Sequence, residues 1–105
     1  MEVKLLTTEK ATLTEEKGVY TINYNPLKFK QSSKVDLEIT GIELKDISAR
    51  PGCSSCTTVN VKKETDKVIL SITYDTKYLG NFNKKVSFFH QGKLTTFKIV
   101  GIVTH

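Results

Sequence analysis

Apolar and polar residues alternate with a period of two through most of this chain. Val68, Leu70, Ile72 and Tyr74 interleave with Ile69, Ser71 and Thr73, and Val35, Leu37 and Ile39 interleave with Asp36, Glu38 and Thr40. Successive side chains of a strand point to opposite faces, so each run predicts a strand with one face on a core. Tyr20, Ile22 and Tyr24 form a shorter run that Asn25-Pro26 stops, because proline has no N–H to give to a ladder. Val86, Phe88 and His90 share a face up to Gln91-Gly92. Leu94 to Thr104 predicts the last strand, with Phe97 and Ile99 in phase and Gly101 as a bulge. Ile42 and Leu44 fall out of phase with Ile47 and Ala49, which predicts a kink near Lys45-Asp46.

No segment repeats apolar residues at helical spacing for three turns. Strands recur about every 8–12 residues with turn residues between them, the signature of an antiparallel β-sandwich or a small barrel. The fold class is therefore all-β. The 105 residues fit one domain, and residues 1–17, the weakest strand candidate, read as an edge strand or a docking arm.

Charge changes this picture in one respect. Basic and acidic residues balance, eight against eight, from Met1 to Asn60, whereas Val61 onward holds eight lysines against Glu64, Asp66 and Asp75. Fifteen of the sixteen basic residues are lysine, with Arg50 the single arginine. Nucleic-acid readers lean on arginine forks. A lysine-rich surface without them points to solubility, edge protection or an acidic partner, and nucleic acid ranks behind these. The start of the chain has no apolar signal core, and no run approaches a transmembrane length. The expectation is synthesis and folding in the cytoplasm, with no membrane partner.

A set of motifs resembles a known family. Leu37-Glu-Ile39-Thr-Gly41, Ile42-Glu-Leu44-Lys-Asp-Ile47 and Gly52-Cys-Ser-Ser-Cys-Thr57 are similar to a strand, a second strand and a "CGCT"-like turn. They are followed by Ile72-Thr-Tyr74-Asp-Thr76, Gly80-Asn-Phe82-Asn-Lys84-Lys-Val86 and Ile99-Val-Gly101-Ile-Val103. Together these resemble a bacterial and phage immunoglobulin-like family of undefined function, related to the Hydin-type (ASH) domains. The resemblance covers roughly two thirds of the chain, from Val35 onward. It departs at the turn, where Ser54-Ser55 replaces a single glycine. It implies an immunoglobulin-like antiparallel sandwich of about seven strands that serves as a binding or scaffolding module, and it does not imply an enzyme.

Cys53 and Cys56 are the only cysteines. A redox dithiol needs a helix N-terminus to stabilise its thiolate, whereas Thr57 to Val61 reads as a strand. A structural zinc site needs four ligands, and His90 and His105 match no finger spacing. Reduced structural thiols rank first, a local disulfide second, and metal or redox chemistry well behind; no cofactor is expected. His90 reads as a strand-end residue that no serine or acid accompanies, and Asp75 as a turn-former. The isolated glycines form no phosphate cradle. Lys62-Lys63 and Lys84-Lys85 are solvated or edge-guarding residues in the simpler reading, and a candidate docking surface in the functional one.

These readings converge on a non-catalytic structural module with no small-molecule substrate. The first expectation is an auxiliary (decoration) protein of a bacteriophage capsid or virion. It would dock on the major capsid protein or another repeated subunit, first in the host cytoplasm and then on the virion. The second is a stand-alone bacterial scaffold or adhesion module, and the third a basic nucleic-acid-binding domain.

Overall fold

The phase of each alternating run decides which of its side chains enter the core. A computed structural model describes residues 1–105 and contains ten strands and no helix. They are β1 (Glu2–Leu5), β2 (Ala11–Glu16), β3 (Val19–Tyr24), β4 (Leu27–Lys28), β5 (Ser32–Thr40), β6 (Ser48–Pro51), β7 (Thr57–Lys63), β8 (Val68–Asp75), β9 (Gly80–His90) and β10 (Lys93–Thr104). One sheet has the order β1-β5-β8-β7; the other has the order β2-β3-β10-β9-β6, with β4 also paired to β10. The first order is that of the ABED sheet of an immunoglobulin sandwich, and β10-β9-β6 is its GFC sheet. The chain thus has ten strands rather than the expected seven or so. The other three, β2, β3 and β4, come from the first third of the chain and widen the second sheet.

Residues 1–17 supply an edge strand to each sheet. β1 pairs antiparallel with β5, and β2 forms a hairpin with β3. The β2–β3 loop is Lys17-Gly18, with φ of 51° and 80°; the β9–β10 loop is Gln91-Gly92, with φ of 52° and 72°. Two consecutive residues at positive φ make the two-residue turn whose twist matches that of paired strands.

Three details depart from the sequence expectation. The second sheet is mixed, because β3 and β4 run parallel to β10. The bulge lies at Asn25-Pro26, where the register against β10 slips by one residue between β3 and β4. Gly101 is not a bulge: β10 keeps unbroken register with β9 from Lys93 to Val103. Glycine is required there because a Cβ would lie 2.7 Å from Phe82 Cζ and 3.2 Å from Tyr24 Cβ. Finally, Ile42 to Ile47 form no strand; the phase slip marks the crossing from β5 in one sheet to β6 in the other.

The core fills the space between the inward faces. Val35, Leu37, Ile39, Val68, Leu70 and Ile72 face Ile22, Val86, Phe88, Phe97 and Ile99, all with no exposed surface. Burying such side chains contributes about 1.5–3 kcal/mol each, which makes this layer the main source of stability. At one end Phe82 stacks on Tyr74 with ring centres 4.1 Å apart and meets Tyr24 edge-on at 5.8 Å.

Candidate docking surface and the cysteine turn

After β6 the chain crosses back to the four-stranded sheet through the cysteine turn, which leads into β7. Thr57 N–H donates to the Cys53 carbonyl at 2.9 Å, closing one turn that is not continued as helix. This places the two Cα atoms 5.7 Å apart, within disulfide range, and the sulfurs are bonded. The pair is therefore the local disulfide that sequence ranked second, not the free thiols ranked first. Gly52 N–H donates to Lys85 O at 2.8 Å and Asp75 N–H to Cys56 O at 2.8 Å, so the turn is tied to β9 on one side and β8 on the other. Cys56 is buried in the core and Cys53 packs partly against it.

Other chemistry-bearing residues are also engaged in the fold. His90 is buried, its Nε2 3.1 Å from Thr95 Oγ1 and its ring beside Phe88. Burial, with Lys93 and the N-terminal amine adding repulsion, holds its pKa below the usual 6.5, which keeps the imidazole neutral. Asp75 closes a small turn by accepting from Lys77 N–H at 2.9 Å. Thr76 is fully buried; its hydroxyl accepts from Gln31 N–H at 2.8 Å and donates to Lys28 O at 2.7 Å. It fastens the β4–β5 link to the end of β8, a role invisible in sequence because its partners lie 45 and 48 residues away. No three His, Cys, Asp or Glu side chains cluster as metal ligands.

The four lysines singled out from sequence do not form one surface. Lys62 and Lys63 lie on β7, the edge of the four-stranded sheet, and Lys84 and Lys85 on β9 in the other sheet. Adjacent strand residues face opposite ways, so each dilysine is itself divided. Lys84 is in phase with the buried Phe82 and Val86 and half-buried, whereas Lys85 points outward. Lys62 is 3.7 Å from Glu64.

Strand pairing gives Lys85 different companions. Lys98 on β10 lies directly across from it, and Arg50 on β6 is opposite Ser87, the next outward residue of β9. The outward face around them carries Thr14, Thr21, Thr96 and Asn83, with Phe89 and Leu94 at one end and Ile102 at the other. Its acid is Glu16, on β2. That strand is two spacings from β10, on the order of 10 Å. None of Lys85, Lys98 and Arg50 forms an ion pair, whereas Lys34, Lys62 and Lys67 of the opposite face do. Lys67 is 3.0 Å from Glu38 and 3.6 Å from Glu64, and Lys34 is 4.0 Å from Asp36. Sequence reasoning missed Arg50 and Lys98 as partners of Lys85 because only the β6-β9-β10 register assembles them.

An open, polar hollow of about 270 Å³ lies between Lys10, Asn25, Lys28, Gln31, Ser33 and Thr76. Its Thr76 hydroxyl is already hydrogen-bonded within the fold. In comparisons with known proteins, no protein-family model matches the chain, and no curated protein matches it.

Proposed function

We propose that this chain is a non-catalytic docking module, acting as an auxiliary (decoration) protein on the repeated subunits of a bacteriophage capsid or virion. The observation that carries the docking part is the division of charge between the two sheet faces. On one face Lys34, Lys62 and Lys67 pair with carboxylates, and the other holds three cations without partners. The side chains able to do chemistry are engaged in the fold: the cysteines in a disulfide, His90 on Thr95 and Thr76 in its link. The virion assignment rests on the resemblance to immunoglobulin-like domains, which recur as additions to virion surfaces. Docking of this kind is passive: many weak copies on a repeated lattice add through avidity.

Mass spectrometry of purified virions from the source of this sequence tests the assignment. The chain is expected at a copy number comparable with that of the major subunit. Its absence from particles, with free monomer in the lysate, overturns the virion reading and leaves a stand-alone scaffold.

A further inference from the structure

Among neighbouring strands, like charges directly opposite each other destabilise a sheet, while opposite charges stabilise it. The four-stranded sheet follows that rule: Lys4 on β1 is opposite Glu38 on β5, and Lys67 reaches the same carboxylate. The six-stranded sheet breaks it. Lys98 and Lys85 are directly opposite in the middle of its outer face, Arg50 stands on the next strand, and no carboxylate answers them. A local rule broken without compensation inside the fold is expected at functional positions.

We infer that the outer face of the six-stranded sheet, centred on Lys85, Lys98 and Arg50, is the docking surface, and that its partner is a protein presenting an acidic patch. The inference rests on the docking-module reading and names the face and the partner chemistry. An acidic partner supplies the charge that the face lacks, steering encounter and fixing register. The one hollow of the molecule lies away from this face, and two of the face's three cations are lysines, compact point charges without the forked geometry that grips phosphates. Leu94, 57% exposed, and Ile102, 39% exposed, stand at its two ends on β10. Exposed aliphatic residues around a charged centre suit a protein surface, whereas a nucleic-acid backbone offers them nothing. On the opposite face Lys34, Lys62 and Lys67 are already paired within the chain.

The test uses poly-L-glutamate as an acidic polypeptide probe and a DNA duplex of equal charge as its rival. Amide chemical shifts of the full chain report where each probe binds. Three variants accompany it: Lys85→Glu/Lys98→Glu, its milder counterpart Lys85→Gln/Lys98→Gln, and Lys34→Glu/Lys62→Glu on the opposite face. The first and third change net charge equally, and well-dispersed spectra establish that each is folded. The expected result is that poly-L-glutamate shifts the outward residues of β6, β9 and β10. Affinity then falls about tenfold or more in both Lys85/Lys98 variants and less than about threefold in the opposite-face variant. Equal losses in the two Glu variants, shifts centred elsewhere, no binding by the wild type, or tighter binding of the duplex would each overturn the inference. These outcomes are independent of the virion measurement, so the docking face and the virion assignment fail separately.

Discussion

Reversing one charge of the Lys85–Lys98 pair is expected to stabilise the protein, although both residues lie on the surface. Cβ atoms of directly opposite residues are about 4.5–5.5 Å apart, and two lysine ammoniums in that register settle roughly 8 Å apart. In water such a pair repels by about 0.5 kcal/mol. Lys98→Glu removes that repulsion and replaces it with attraction of similar size, a gain of about 1 kcal/mol at low salt. For a domain of this size that corresponds to a melting-temperature rise of about 4–8 °C. Lys85→Glu should do the same. The double variant restores a like-charged pair, so the coupling energy of the cycle is about 2 kcal/mol at low salt, and it shrinks by roughly two thirds near 0.15 M salt, where the screening length is about 8 Å. Thermal unfolding followed by circular dichroism across a salt series measures all four proteins. A coupling energy within about 0.3 kcal/mol of zero at low salt, or a single variant that melts below wild type, would show that the two ammoniums do not repel across the strands.

Gly101→Ala pushes a methyl into the Phe82 ring, which Tyr74 and Tyr24 hold in place, and should cost about 1–3 kcal/mol in urea unfolding; an unchanged midpoint would show that the ring yields freely. Tyr24→Phe removes a buried hydroxyl that has no hydrogen-bond partner and whose pKa burial raises, so stability should hold or rise by about 1 kcal/mol, and a loss of that size would reveal a missed partner. Cys53→Ser with Cys56→Ser opens a loop of only two intervening residues and should lower stability by about 2 kcal/mol while leaving poly-L-glutamate binding intact; loss of binding would give the turn a direct role. His90 is held below its ordinary pKa of 6.5, so the unfolded chain takes up this proton before the folded one does. Its contribution is complete above pH 6.5 and is lost as pH falls from there through the folded pKa. Denaturant titrations should show that slope in wild type and lose it in His90→Phe, and a wild-type stability that rises on acidification would contradict the assignment.

The parts of the fold legible in the sequence are those governed by local alternation. β5 and β8 bury every second residue as their patterns require, and Gln91-Gly92 turns the chain where the apolar phase stops. What escaped was set by contacts distant in sequence. Gly101 reads as a bulge along its own strand, but its reason is the Phe82 ring on β9, 19 positions earlier. The parallel pairing of β3 with β10 joins residues on the order of 77 apart, beyond the reach of periodicity. The dilysines misled because neighbours along a strand face opposite ways. Lys85 acquired Lys98 and Arg50 only through the register of β6, β9 and β10. The strand that follows the cysteine turn is legible in Thr57 to Val61, whereas the bond between its sulfurs depends on a backbone turn that no spacing fixes.

On the proposed reading, Lys85 and Lys98 meet carboxylates of a partner protein in the native assembly. Zero-length carbodiimide cross-linking of purified virions, read by mass spectrometry, joins lysine amines only to carboxylates in direct contact. Lys85 and Lys98 are expected coupled to aspartate or glutamate of a capsid or virion subunit, with Lys62 and Lys63 joined to no other subunit. Cross-links to another subunit that run instead from Lys62, Lys63 or Lys34, with Lys85 and Lys98 joined to none, would place the contact elsewhere on the chain.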